Sequence, residues 1–116
     1  MSEKLKYVEI KPRTRAELEQ QFGSSNPNVV CDALYSAAQH EPDWRWSQDQ
    51  CLKMLQHESH VVRTGALIAL GEIAIFQGQI DSEVVLPRIQ QCKSDPALAP
   101  TAQDAIDDIE GLQRPE

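Results

Sequence analysis

The chain has 116 residues and a formal net charge of -7, with 41% apolar, 25% charged and only 5% aromatic residues. That length supports one domain, and the composition excludes collagen, a coiled-coil rod and a wholly disordered chain. With so few rings the core must come from Leu, Ile, Val and Ala, and a pI near 4.9 disfavours nucleic acid as a general partner.

Residues 1 to 13 read as a lead-in, in which Tyr7, Val8 and Ile10 suit a short extended segment and Pro12 blocks a helix. Thr14 with Glu17 forms a capping box, which predicts a short helix over 15–22 closed by Gly23. Asn26 caps a second helix with Pro27 at its first position. Val30, Ala33, Leu34, Ala37 and Ala38 recur along it at helical spacing as far as Gln39, and Pro42 stops it. Asp43 to Trp46 read as a linker, with the alternative that they begin the next helix. Ser47 caps a helix over about 48–56, with Cys51, Leu52, Met54 and Leu55 apolar.

Ser59 caps the longest and most apolar helix, which ends near Phe76 before Gly78. Its stripe is Val62, Ala66, Ala69, Leu70, Ile73 and Ala74, and Leu67, Ile68 and Ile75 widen it toward burial on most sides. Asp81 or Ser82 caps the fifth helix, with Val85, Leu86, Ile89 and Cys92 inward. Asp95 caps the last, with Pro96 at its first position, Leu98, Ala102, Ala105, Ile106 and Ile109 as its stripe, and Gly111 at its end. Residues 113–116 are expected to fray, leaving 14–112 as a single helical domain.

No run of 18 apolar residues is present, so no membrane span is expected, and the N-terminal stretch lacks the apolar core of a secretory signal. Cys31, Cys51 and Cys92 are odd in number, widely spaced and form no CxxC, which points to reduced thiols and a cytoplasmic location. The charge is uneven: residues 1–22 sum to +1, 23–94 to -3 and 95–116 to -5.

The six helices fall into three pairs, and their second members are alike. Val62, Ala66, Ala69, Leu70 and Ile73 align with Leu98, Ala102, Ala105, Ile106 and Ile109 at an offset of 36 residues. Val30, Leu34, Ala37 and Ala38 align with Val62, Ala66, Ala69 and Leu70 at an offset of 32. A single pair cannot bury its apolar face alone, so stacking is the physical reason to repeat.

The segment from Ser59 through Val62-Arg63, Ala66 and Ala69-Leu70-Gly71 to Ile73 resembles the second helix of a HEAT repeat. Asp95-Pro96-Ala97-Leu98 and Asn26-Pro27-Asn28-Val29-Val30 resemble the same opening, with Ala99 and Cys31 in place of the family's arginine. The resemblance spans roughly residues 14 to 110. It implies an all-α, right-handed stack of about three antiparallel helix pairs, of the kind found in small bacterial HEAT-like proteins. In the family the arginine is usually structural, which gives Arg63 a neighbouring acid such as Asp32 or Asp104 as its partner. In such stacks the second helices line the concave face, which here would carry Asp32, Tyr35, Glu72, Asp104 and Asp108.

Catalytic signatures are missing from the sequence: there is no GxGxxG, P-loop, GxSxG or HExxH. His57 and His60 stand near Glu58 with Cys51 one helix earlier, yet a capping turn accounts for them as well, and no metal and no cofactor are expected. Asp104, Asp107 and Asp108 share a helical face close to a helix C-terminus, where carboxylates oppose the macrodipole. That face is either solvated or docks a basic partner. Trp44 and Trp46 flank Arg45, residue types common among interface anchors, and their spacing sends the two rings to different sides.

The leading expectation is a monomeric, non-catalytic protein-binding module. The resemblance suits an acidic immunity protein that neutralises a toxin with a basic surface. The alternative is an adaptor or assembly factor that brings an enzyme to its substrate.

Overall fold

The computed structural model describes residues 9–113, which form six α-helices and no strand. They are α1 (Arg15–Phe22), α2 (Pro27–His40), α3 (Trp44–Met54), α4 (His60–Glu72), α5 (Ser82–Cys92) and α6 (Ala99–Gln113), and a π-helical turn over Ile73–Gln77 continues α4. The expected extended residues Tyr7 and Val8, and tail residues 114–116, lie outside the described residues.

Local chemistry sets most of the helix starts. The Thr14 hydroxyl accepts from the Glu17 amide while the Glu17 carboxylate accepts from the Thr14 amide, which completes the capping box of α1. Asn26 accepts from the Asn28 amide at 3.0 Å and Ser59 from the Val62 amide at 3.4 Å. Gly78 closes the π turn with φ of 70°, a left-handed conformation that glycine adopts without a Cβ penalty.

Three boundaries differ from the sequence expectation. Asp43, not Ser47, caps α3: its carboxylate accepts from the Trp46 amide at 3.2 Å, so both tryptophans lie in the first helical turn. Asp95 does cap a turn, with its Oδ1 accepting from the Ala97 amide at 2.9 Å, but the α-helix proper starts at Ala99. Pro100 has no N–H to offer the Pro96 carbonyl, so the ladder breaks between that turn and the helix. Gly111 lies inside α6, which runs on to Gln113.

The even-numbered helices form the centre of the molecule. The most extensive contacts are α2 with α4 and α4 with α6, while α1 packs on α2, α3 on α4 and α5 on α6. All the aligned repeat positions are buried: Val30, Leu34, Ala37 and Ala38 on α2, Val62, Ala66, Ala69, Leu70 and Ile73 on α4 and its continuation, and Leu98, Ala102, Ala105, Ile106 and Ile109 around α6. Leu18, Ala33 and Ala37 form a smaller cluster against which Phe22 and Trp46 pack. The alanines let helix axes approach, and the large residues fill the seams between pairs. α4 is less enclosed than its composition suggests. Leu67 is fully buried, but Ile68 is 39% and Ile75 61% exposed.

Side-chain bonds tie each pair to the next at close to one repeat length. Gln77 on the π turn donates to the carbonyls of Ala38 and Glu41, both at 3.1 Å, and so satisfies the end of α2. Arg88 donates to the Leu52 carbonyl at 3.2 Å, near the end of α3. Gln48, buried at 2% exposure, accepts from the Asp81 amide at 2.9 Å and donates to the Asp81 carboxylate at 3.2 Å. Arg45 grips the same carboxylate with two nitrogens at 3.0 and 3.1 Å. These bonds hold the Asp81 carboxyl below its ordinary range, the one from Arg45 contributing most. Arg63 is structural, though its partners differ from those expected: it donates to the His57 and Glu58 carbonyls at 2.7 and 3.1 Å, not to Asp32 or Asp104.

Candidate functional site

The layer formed by α2, α4 and α6 presents two grooves to solvent. The first lies between α2 and α4, holds about 290 Å³, and is lined by Asp32, Tyr35, His60 and Val61 over a floor of Cys31 and Gly65. The floor is tight, because a Cβ on Gly65 would sit 2.5 Å from the Cys31 Sγ. The Cys31 thiol donates to the Val61 carbonyl at 3.4 Å. Burial pushes both the Cys31 thiol and the Tyr35 phenol upward from their ordinary values, so both are neutral at pH 7.

The second groove lies between α4 and α6 and holds about 340 Å³. Ile68, Ile75 and Ala105 supply its apolar wall, and Glu72, Asp104 and Asp108 its carboxylates. Gln39 on α2 donates to the Glu72 carboxylate at 3.3 Å. Desolvation raises the Glu72 carboxyl; that hydrogen bond opposes the rise, and the charge of Asp108 adds to it. The Asp108 carboxyl is raised as well, first by burial and then by the charges of Asp104 and Asp107. Gly71 gives Asp108 its place, since a Cβ there would lie 2.7 Å from the Asp108 Oδ2.

An apolar ridge runs along these grooves. Val61, Ile68 and Ile75 recur every seventh residue and are 48%, 39% and 61% exposed, and Phe76 beside them is 57% exposed. Seven residues return a helix to nearly the same face, so the first two align along α4. The π turn then carries Ile75 and Phe76 to the surface. Several large apolar side chains exposed in a row and bordered by carboxylates have the anatomy of a protein interface.

Of the residues singled out from sequence, Asp32 and Tyr35 line the first groove and Glu72, Asp104 and Asp108 the second. Asp107 lies outside both, with its carboxylate accepting from Gln103 at 2.9 Å. Trp44 and Trp46 also lie outside both, and each ring is half-buried. Trp44 packs on the main core under the Arg45 guanidinium. Trp46 packs on the smaller cluster, 6.0 Å from the Phe22 ring and 3.9 Å below the Arg15 guanidinium. Val61, Ile68, Ile75 and Phe76 were missed as surface residues. The seven-residue spacing of the first three is the available signal, and it fits a second buried stripe equally well.

His57 serves its own turn, its Nδ1 accepting from the Ser59 amide at 2.9 Å. Among the described residues, no three His, Cys, Asp or Glu side chains converge as metal ligands would. No described helix is long and apolar enough to cross a membrane.

The fold has a counterpart among known structures. One chain of the crystal structure of a CDI complex from Cupriavidus taiwanensis LMG 19424 matches with a TM-score of 0.81 and 25% sequence identity, over 93% of this chain and 97% of that one. No protein-family model and no curated protein matches the chain.

Proposed function

We propose that this chain is a non-catalytic protein-binding module, an immunity protein that binds and neutralises a cognate toxin. The observation that carries this reading is the likeness, over nearly the full length of both chains, to a component of a contact-dependent inhibition complex. In this reading the helix pairs stack right-handedly as in HEAT repeats, and the α2–α4–α6 layer is the binding face. The protein acts as a monomer in the cytoplasm, where the toxin would do harm.

The chemistry of the face supports binding over catalysis. An activated nucleophile needs a lowered pKa or an adjacent base, whereas Cys31 and Tyr35 are shifted upward. The exposed ridge of Val61, Ile68, Ile75 and Phe76 offers apolar anchors, which set the lifetime of a complex. Asp32, Glu72, Asp104 and Asp108 give the face one sign of charge, which speeds encounter with a basic surface.

The test looks for a toxin reading frame beside the gene and co-produces its toxic domain with this chain. Cells making both should grow, and Ile68→Asp with Ile75→Asp should abolish protection while the purified variant keeps its helical circular dichroism. Growth arrest undiminished by the wild-type chain would overturn the reading.

A further inference from the structure

The α4–α6 groove combines two features that one side-chain type would satisfy together. Its wall is aliphatic: Ile68 and Ile75 stay largely open to water although they are large and apolar. It is also anionic: Glu72, between the two isoleucines on α4, and Asp104 and Asp108 on α6 face the same space, and no Lys, Arg or His among the described residues forms an ion pair with any of them. Glu72 is half-buried, so part of its hydration is already gone.

None of the chain's own described arginines lines the groove: Arg13 lies ahead of α1, and the other four have other work. Arg15 pairs with Glu41 and Asp43, Arg45 with Asp81, and Arg63 and Arg88 hold backbone carbonyls. A second copy of the chain would also bring a net charge of -7 to an acidic face. Among the described residues, then, no cation of this chain fills the groove, and a partner is its source.

We propose that the α4–α6 groove receives an arginine side chain of the partner protein, its methylene stem along Ile68 and Ile75 and its guanidinium against Glu72 and Asp108. This rests on the reading of the chain as a protein-binding module and adds the chemistry of what enters it. Long cationic side chains lay their stems on apolar surface and keep the charged head among acceptors. The planar guanidinium is more weakly hydrated than an ammonium and can meet two carboxylates at once, which favours arginine over lysine. The groove has room, since 340 Å³ equals about eleven water volumes in the liquid. Asp104, at the exposed end, adds attraction before contact.

The experiment uses the whole chain and a defined probe, a blocked pentapeptide with a central arginine between alanines. Its counterparts carry lysine or the uncharged isostere citrulline. Binding is followed by NMR at the methyl groups of Ile68 and Ile75 and the carboxyl carbon of Glu72. The arginine peptide should shift these signals saturably, the lysine peptide more weakly, and the citrulline peptide not at all. Glu72→Gln with Asp108→Asn should weaken arginine binding about three- to tenfold, as expected for loss of partly exposed ion pairs. Unfolding curves should show that variant to be folded.

Equal responses to arginine and citrulline, shifts confined to other acidic surface, or unchanged affinity in the double variant would each overturn the proposal. The co-production assay separates the two claims. Full protection by the double variant, with no peptide response in the wild type, removes the arginine and leaves the immunity reading. A selective peptide response without protection removes the immunity reading and leaves the groove's ligand in place.

Discussion

Gly65→Ala tests the close approach of α4 to α2. A Cβ at this position would meet the Cys31 Sγ at 2.5 Å, the Cys31 Cβ at 3.2 Å and the Tyr35 hydroxyl at 3.4 Å. The Sγ can swing about one torsion, but it then gives up the Val61 carbonyl, and the Cys31 Cβ still has to move. Overpacking of this kind costs about 1–3 kcal/mol. Replacing a mid-helix glycine by alanine returns about 1 kcal/mol through helix propensity. The expected net is a loss of about 0–2 kcal/mol, and each 1 kcal/mol lowers Tm by about 4–8 °C in a domain of about 60–100 residues. The decisive measurement is a double-mutant cycle with Cys31→Ala, by urea denaturation. Removing the thiol should relieve the clash, giving a coupling energy of about 0.5–3 kcal/mol. A Gly65→Ala protein stabilised by the full propensity gain, with no coupling to residue 31, would refute the close approach of α2 and α4.

Gly71→Ala should behave in the opposite way. The atom its Cβ would meet is the Oδ2 of the exposed Asp108, which can turn toward water, so a gain of up to about 1 kcal/mol in urea denaturation is expected. Leu70→Ala removes a fully buried side chain at the centre of the core and should cost about 2–5 kcal/mol; an unchanged denaturation midpoint would contradict the packing of α4. The Glu72 carboxyl is raised on folding by burial, so its protonation favours the folded state. That contribution is complete below the ordinary value of 4.5 and is lost as pH rises through the folded value. Glu72→Gln should therefore gain on the wild type in thermal denaturation between pH 4 and 7, and the reverse trend would show that the folded protein stabilises the carboxylate.

Helix existence was legible because caps and periodicity agreed. Thr14, Asn26 and Ser59 each bond the amide that a capping residue should. The aligned apolar positions were legible for a related reason: a repeat that must stack constrains the same seam residues each time, and every one of them is buried. The misses share a different cause. Asp43 to Trp46 read as a linker with a helix start as the alternative, and the alternative holds: Asp43 caps α3, and its first turn buries half of each ring. Ile68 and Ile75 are expected inward because they widen the stripe of α4, and apolar residues seven apart satisfy the period of a buried face and of an exposed ridge equally. The π turn has no periodic signature at all, since it is one register change within an unbroken apolar run. Asp107 was grouped with Asp104 and Asp108 by helical spacing, but a groove covers a narrower arc than three acids occupy.

The bond between Gln48 and Asp81 bears on how the protein is dismantled. Both ends of a buried amide depend on a residue 33 positions later, at the entrance to α5. Cutting the chain between the π turn and α5 and losing the C-terminal part would strip that amide of both partners and open its site to water. The Leu52 carbonyl would lose Arg88, and the seam of α4 would lose Ile106 and Ile109. Nor would the severed α5 and α6 be independent, since the apolar side of α6 closes on α4. The three helix pairs are thus not interchangeable bricks, and no shorter version made by deleting a pair inherits the fold. A protease that nicks the segment around Gly78 would leave no stable half behind. The three pairs therefore share one stability, and the chain folds and unfolds as a unit.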